Sequence, residues 1–194
     1  DGIRDLIVTG VQTCALPISQ VQEAMCRLGS KLPYREAQEE LKLMWGISLS
    51  KGSIQDATNR YGQVAHQMIE EEVSRLEREA PNSQETPDQL VITVDGAFVR
   101  LVGGEWKEVK TATFGEISET WSQKRGKVEI KSETLSYFSQ LASAETFNRQ
   151  ALYEWHQRGG ENASEIISVN DGALWIQGFL DYHAPQAVRI LDFP

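Results

Sequence analysis

Asp95 and Asp171 are the side chains of this sequence best placed to do chemistry. Each closes a short β-branched run and is followed by glycine: Leu90-Val91-Ile92-Thr93-Val94-Asp95-Gly96, and Ile166-Ile167-Ser168-Val169-Asn170-Asp171-Gly172. Runs of Leu, Ile and Val around one Thr or Ser read as strands. A strand that stops at Asp-Gly delivers its carboxylate to the sheet's edge, and the carboxyl ends of parallel strands are where α/β sheets place their chemistry. Two adjacent strands of this form would bring together two hard oxygen ligands, which suits a divalent ion such as Mg²⁺. The other reading of each Asp-Gly is a simple turn, because this dipeptide opens turns readily.

The remaining composition narrows the function classes. The chain has 194 residues, of which 40% are hydrophobic and 24% charged, enough for one domain or for a domain with an appendage. A formal charge of −9 argues against a protein that coats nucleic acid through bulk positive charge. It leaves room for a metal-dependent enzyme, since carboxylate sites are themselves negative. No apolar run approaches the roughly 20 residues of a membrane span. Cys14 and Cys26 form neither a CxxC pair nor a zinc-ligand spacing, which fits a reducing compartment and a cytoplasmic location. His156 and His183 read as core or surface histidines with no assigned chemistry.

Two sets of elements must position the carboxylates. From 19 to 80 the sequence is helical. Tyr34, Ala37, Leu41 and Met44 fall at helix spacing behind Pro33 and ahead of Gly46. Ser50 then stands as the N-cap of a second helix, with Ile54, Ala57, Tyr61, Val64 and Met68 on one stripe, continuing to about Ala80. Helix, glycine turn and helix give the outline of a helix-turn-helix, or of a hairpin that only packs. In the first case Lys51, Ser53, Gln55, Asp56, Asn59 and Arg60 lie on or near the face that would meet a DNA groove. A polar, proline-bearing segment, 81–88, is the expected linker.

From 89 onward the order is strand, hairpin, helix, strand, helix, strand. Leu90 to Val94 comes first. Phe98 to Val102 turns at Gly103-Gly104 and resumes from Trp106 to Phe114, and Gly126 to Tyr137 follows. Ser143 caps a helix to about Arg158, which Gly159-Gly160 ends. Ile166 to Val169, a helix from Leu174 to Asp181, and Val188 to Leu191 complete the set. The expected fold is α/β, an incomplete ribonuclease-H-like mixed sheet with flanking helices. Its first and fourth strands run side by side in parallel, so Asp95 and Asp171 can meet at one edge.

Residues 1–18, DGIRDLIVTGVQTCALPI, lack any structural period and the order of a secretory signal. They resemble the conceptual translation of a sequencing adapter. On that reading Cys14 carries no function, the natural sequence begins near Ser19, and the chain is a fragment.

Three blocks carry a family resemblance: Val94-Asp95-Gly96-Ala97-Phe98-Val99; Val169-Asn170-Asp171-Gly172-Ala173-Leu174-Trp175-Ile176; and Ile190-Leu191-Asp192-Phe193. With Tyr34-Arg35-Glu36-Ala37 and Gly46-Ile47-Ser48-Leu49-Ser50, they resemble the ISKra4-like group of bacterial insertion-sequence transposases, within the DDE/DDD transposases of ribonuclease-H-like core. The resemblance spans about residues 30–194. It implies Asp95 and Asp171 as catalytic metal ligands, Mg²⁺ or Mn²⁺ as cofactor with two ions in the complete enzyme, and double-stranded DNA at element ends as partner. A homo-oligomer and no membrane association are implied for the complete protein. The third acidic residue of the family belongs on a helix after the last strand, beyond Pro194. Asp192 closes that strand and is not assigned the third role, and Trp175 is expected to pack its helix onto the sheet. Three functions stay open: a transposase fragment, inactive in strand transfer by itself; a DNA-binding or dimerising module without catalysis; and a ribonuclease-H-like nuclease unrelated to transposition.

Overall fold

The computed structural model describes residues 20–192. The adapter-like segment 1–18, with Cys14, and the terminal Phe193 and Pro194 lie outside the described residues.

Two compact units divide at Met68/Ile69. The first contains α1 (Gln20–Gly29), α2 (Tyr34–Trp45) and the start of α3 (Lys51–Glu79). Ala24, Met25, Ala37, Leu41, Ile54 and Ala57 form its core. Gly46 ends α2 in the left-handed region, φ 67°, with its N–H on the Lys42 carbonyl, which frees the chain to turn without steric cost. Ser50 caps α3 as expected, its Oγ accepting the Ser53 N–H at 3.0 Å. The helix α1 is an element the sequence reading did not separate out, although Val21, Ala24, Met25 and Leu28 repeat at helical spacing.

The second unit holds a five-stranded mixed sheet in the order β3-β2-β1-β4-β5, with β1 (Gln89–Arg100), β2 (Trp106–Ser122), β3 (Lys127–Gln140), β4 (Glu165–Asn170) and β5 (Val188–Leu191). β1, β2 and β3 are antiparallel neighbours, while β1–β4 and β4–β5 are parallel. The two helices α4 (Ala144–Gln157) and α5 (Leu174–His183) supply Phe147, Ala151, Trp155, Ile176, Phe179 and Leu180 to one core with Leu90, Ile92, Val94, Phe114 and Ile166 of the sheet. Ser143 caps α4 through the Thr146 N–H, as the sequence predicts.

Two boundaries differ from the sequence reading. β1 does not stop at Asp95-Gly96. It runs on to Arg100 because β2 continues to pair with it, Asp95 opposite Thr111 and Gly96 opposite Lys110, and this ladder overrides the local turn preference. The first two expected strand runs are therefore one strand. The 81–88 segment is tied to the sheet unit: Asn162 Nδ2 donates to the carbonyls of Ser83 and Glu85 at 3.0 Å, and the Ser164 and Glu165 N–H groups donate to Pro87 and Asp88. The last turns of α3 belong to the same unit. Arg149 of α4 donates to Glu70, Ser74 and Glu77 along α3.

Candidate functional site

The site is built on the parallel pairing of β1 and β4. That ladder runs from Gln89 opposite Glu165 to Thr93 opposite Val169. Asp95 lies two residues past the last rung within β1, and Asp171 lies two residues past it, one beyond the end of β4. Adjacent strands are about 4.8 Å apart, so in-register positions of this kind can share a ligand. Side chains alternate along a strand. Val94 and Asn170 point into the core and are buried, while Asp95 and Asp171 are exposed.

The immediate surroundings of the two carboxylates differ. Asp95 lies within β1, and its Oδ1 accepts the neighbouring Gly96 N–H at 2.7 Å. Asp171 lies in the turn between β4 and α5, and its Oδ1 accepts the Ala173 N–H at 3.0 Å, at the head of the helix. Each carboxylate thus has one oxygen held by backbone. A turn role is therefore real for Asp171 but does not occupy the whole group, and Asp95 is not in a turn.

Behind Asp171, β4 and α5 are joined by amides. Asn170, 6% exposed, accepts the Gly172 N–H at 3.0 Å and the Gln177 Nε2 donor at 3.2 Å on its Oδ1. Its Nδ2 donates to Ser168 Oγ at 3.0 Å. Behind Asp95, Lys110 is buried on the core side of β2. Its Nζ donates to Glu108 Oε2 at 2.6 Å and to the Ala142 carbonyl at 3.3 Å, and lies 5.2 Å from the centre of the Trp175 ring. Trp175 also meets Phe147 edge-on at 6.0 Å, so it packs its helix onto the sheet as expected. The Gly96 Cα faces this ion pair so closely that a Cβ there would collide with Glu108 Oε1.

No family model and no curated protein sequence matches the chain. Among the described residues, no group of three or more His, Cys, Asp or Glu side chains is placed to hold a metal ion. The donor set consists of two carboxylates with one oxygen apiece held by backbone N–H. Carboxylate oxygens are the ligand type that Mg²⁺ or Mn²⁺ would take, ions that need few protein ligands and fill their shell with water and phosphate oxygens. A second ion has no dedicated carboxylate cluster among the described residues.

Of the other named residues, Asp192 stands at this same end, one residue past the Asn170–Leu191 rung, while the histidines lie in the helical layer. Asp192 is exposed beyond β5, and its N–H donates to the Asn170 carbonyl at 2.8 Å, which makes it a strand-end residue beside β4. His183 and His156 are both buried. His183 Nε2 bonds to the Asn148 carbonyl at 2.8 Å, and burial drives its pKa down to about 4. His156 Nδ1 pairs with Glu161 at 2.9 Å. Both are structural groups of the helical layer. In the first unit, Lys51, Ser53, Gln55, Asp56, Asn59 and Arg60 are all exposed, and Arg60 lies over the Tyr61 ring at 5.0 Å. Residues 20–68 carry six basic and five acidic side chains, against −9 for the whole chain. Among the described residues, no helix is long and apolar enough to cross a membrane.

The sequence reading missed Asn170, Gln177 and Lys110. Gln177 falls seven residues after Asn170, two turns of helix spacing with a turn between, and nothing in that interval marks a contact. Lys110 sits on the same alternation as Ala112 and Phe114, a signal that was present in the period of β2.

Proposed function

We propose that this chain is part of a metal-dependent enzyme that cleaves and joins DNA strands, a transposase of the ISKra4-like type with a ribonuclease-H-like core. The observation that supports the reading is the parallel β1–β4 ladder, whose last rung, Thr93 opposite Val169, stands two residues before both Asp95 and Asp171. The strand order β3-β2-β1-β4-β5, with three antiparallel strands followed by two parallel ones, supports the same fold. A bound Mg²⁺ or Mn²⁺ supplies charge that acidifies a water or a 3′-hydroxyl and offsets the phosphoryl oxygens. The protein's own part is to hold that ion on the oxygens of Asp95 and Asp171 not engaged by backbone. DNA contact falls to the exposed face of α3, through Lys51, Asn59 and Arg60, whose cationic members meet phosphates. The complete protein acts on element ends as a homo-oligomer.

Calorimetric titration of the chain with Mn²⁺ tests this. Binding should weaken at least about tenfold in Asp95→Asn and in Asp171→Asn, each folded like the parent. A parent chain that takes up no Mn²⁺ at millimolar concentration would end the metal reading.

A second reading, a DNA-binding module without catalysis, is favoured by the first unit alone, with its six exposed polar side chains on α3 and its nearly neutral charge. It predicts salt-sensitive binding to duplex DNA that falls in Lys51→Ala and Arg60→Ala and is indifferent to Asp95→Asn.

A further inference from the structure

The turn that presents Asp171 is held from behind by a directional chain of hydrogen bonds. Arg189 of β5 donates from one guanidinium nitrogen to Asp181 Oδ1 at 2.6 Å and from another to Gln177 Oε1 at 2.9 Å. Gln177 Nε2 donates to Asn170 Oδ1 at 3.2 Å, and Asn170 Oδ1 also accepts the Gly172 N–H at 3.0 Å. A guanidinium has donors only, so it obliges Gln177 to present its carbonyl oxygen. That leaves the Gln177 NH₂ facing Asn170, which must answer with its own oxygen. The same oxygen is then available to the Gly172 N–H, the residue next to Asp171. Asn170 cannot turn over without losing both these bonds and the donation from its Nδ2 to Ser168 Oγ, at 3.0 Å. Gly172 itself has φ 80°, a backbone conformation that glycine adopts without steric cost.

We propose that Gln177 and Arg189 are positioning residues for Asp171: the donor-only guanidinium sets the polarity of the Gln177–Asn170 amide pair, which fixes the Asp171–Gly172 turn in its ion-holding conformation. This rests on the metal-binding reading. It goes beyond that reading in assigning function to two side chains that touch neither an ion nor DNA. Outer groups of this kind commonly govern metal affinity by one to two orders of magnitude.

The test is a Mn²⁺ titration of the ¹⁵N-labelled chain, following paramagnetic broadening of the Gly96 and Gly172 amide signals, on the parent, Gln177→Met and Gln177→Glu. Circular dichroism melting checks that each variant is folded. Gln177→Met removes both bonds. Gln177→Glu keeps an oxygen for Arg189, and strengthens that contact by charge, but offers Asn170 no donor. Both variants should need about tenfold more Mn²⁺ for the same broadening, and both should exchange the Gly172 amide proton faster without metal. If the Arg189 contact served stability alone, Gln177→Glu would match the parent in both readouts, and the proposal would be overturned. Unchanged titration in folded Gln177→Met overturns it equally. Failure of the underlying reading looks different: the parent signals themselves stay sharp, and the positioning role falls with it.

Discussion

Acidification should unfold the sheet unit through one buried imidazole. His183 lies under Trp155, Phe179 and Tyr182, with ring centroids at 5.7, 4.6 and 4.7 Å. Its Nε2–H donates to the Asn148 carbonyl, while the apolar surroundings favour the neutral ring. Desolvation by burial lowers its pKa from 6.5 to about 4, partly opposed by the bond to Asn148. The unfolded chain binds the proton near pH 6.5 and the folded chain resists it to about pH 4. Stability is therefore complete above the unfolded value and is lost as pH falls through that window. Each tenfold weakening of proton binding corresponds to about 1.4 kcal/mol, so the full effect is about 3 kcal/mol, most of which is gone by about pH 4.5. A loss of this size is a large share of a domain's stability. The assay is urea denaturation of the chain and of His183→Phe across that range. At neutral pH the variant should be weaker by about 1–2 kcal/mol, from the lost hydrogen bond and the orphaned carbonyl. Near pH 4.5 the order should close or reverse. Titrations common to the two proteins cancel in the difference, and Glu72, whose carboxyl is held low by its hydrogen bond to Arg75, contributes only at lower pH. Parallel stability curves for the two proteins between about pH 4.5 and 6.5 would refute the buried-imidazole account.

Other perturbations follow from single contacts. Ser143→Ala removes the α4 N-cap and should lower stability by about 1 kcal/mol in urea, while Ser143→Asp should retain most of it. Gly159 has φ 63°, and a Cβ there would collide with the Glu85 carbonyl oxygen; Gly159→Ala should cost more than about 2 kcal/mol and speed amide exchange in the 81–88 segment. Arg149→Met removes the ion pairs to Glu70 and Glu77, leaving the Gln150 donation to Glu70 in place, and because these side chains are about a third exposed the loss should be at most about 1 kcal/mol and should shrink further in high salt.

Much of the fold was legible because it rests on local signals. Ser50 and Ser143 stand where caps are needed, Gly103-Gly104 turns the first hairpin, with φ values of 108° and 91°, and Val188 to Leu191 forms the last strand at the expected residues. The adjacency of the first and fourth strands was legible too, as a consequence of strand and helix order. The sequence could not show that β1 continues through Asp95-Gly96, since the cause is a ladder with β2 residues more than ten positions away. For the candidate site, the two aspartates stand out in the sequence because each follows an apolar run. The Arg189–Gln177–Asn170 chain could not, because it joins a strand, a helix and another strand through polar side chains whose spacing follows no single period. Burial of Lys110 likewise depends on Trp175 arriving from α5.

The irregular step where β2 and β3 change register, between Phe114 and Glu116, has a consequence for how this protein can change length. Inward of it, Phe114 pairs with Ser136 while β2 is also bound to β1; outward of it, the Glu116–Glu133 rung still meets Leu90, and from Ile117 opposite Ser132 to Ser122 opposite Lys127 the ribbon runs past β1. Thr134, with φ 49°, absorbs the extra residue. Insertions or deletions of one residue per strand beyond the Glu116 rung alter only the ribbon's own rungs. The step therefore acts as a buffer between a part of the molecule whose length is free to drift and a part whose register, through β1, sets the level at which Asp95 stands.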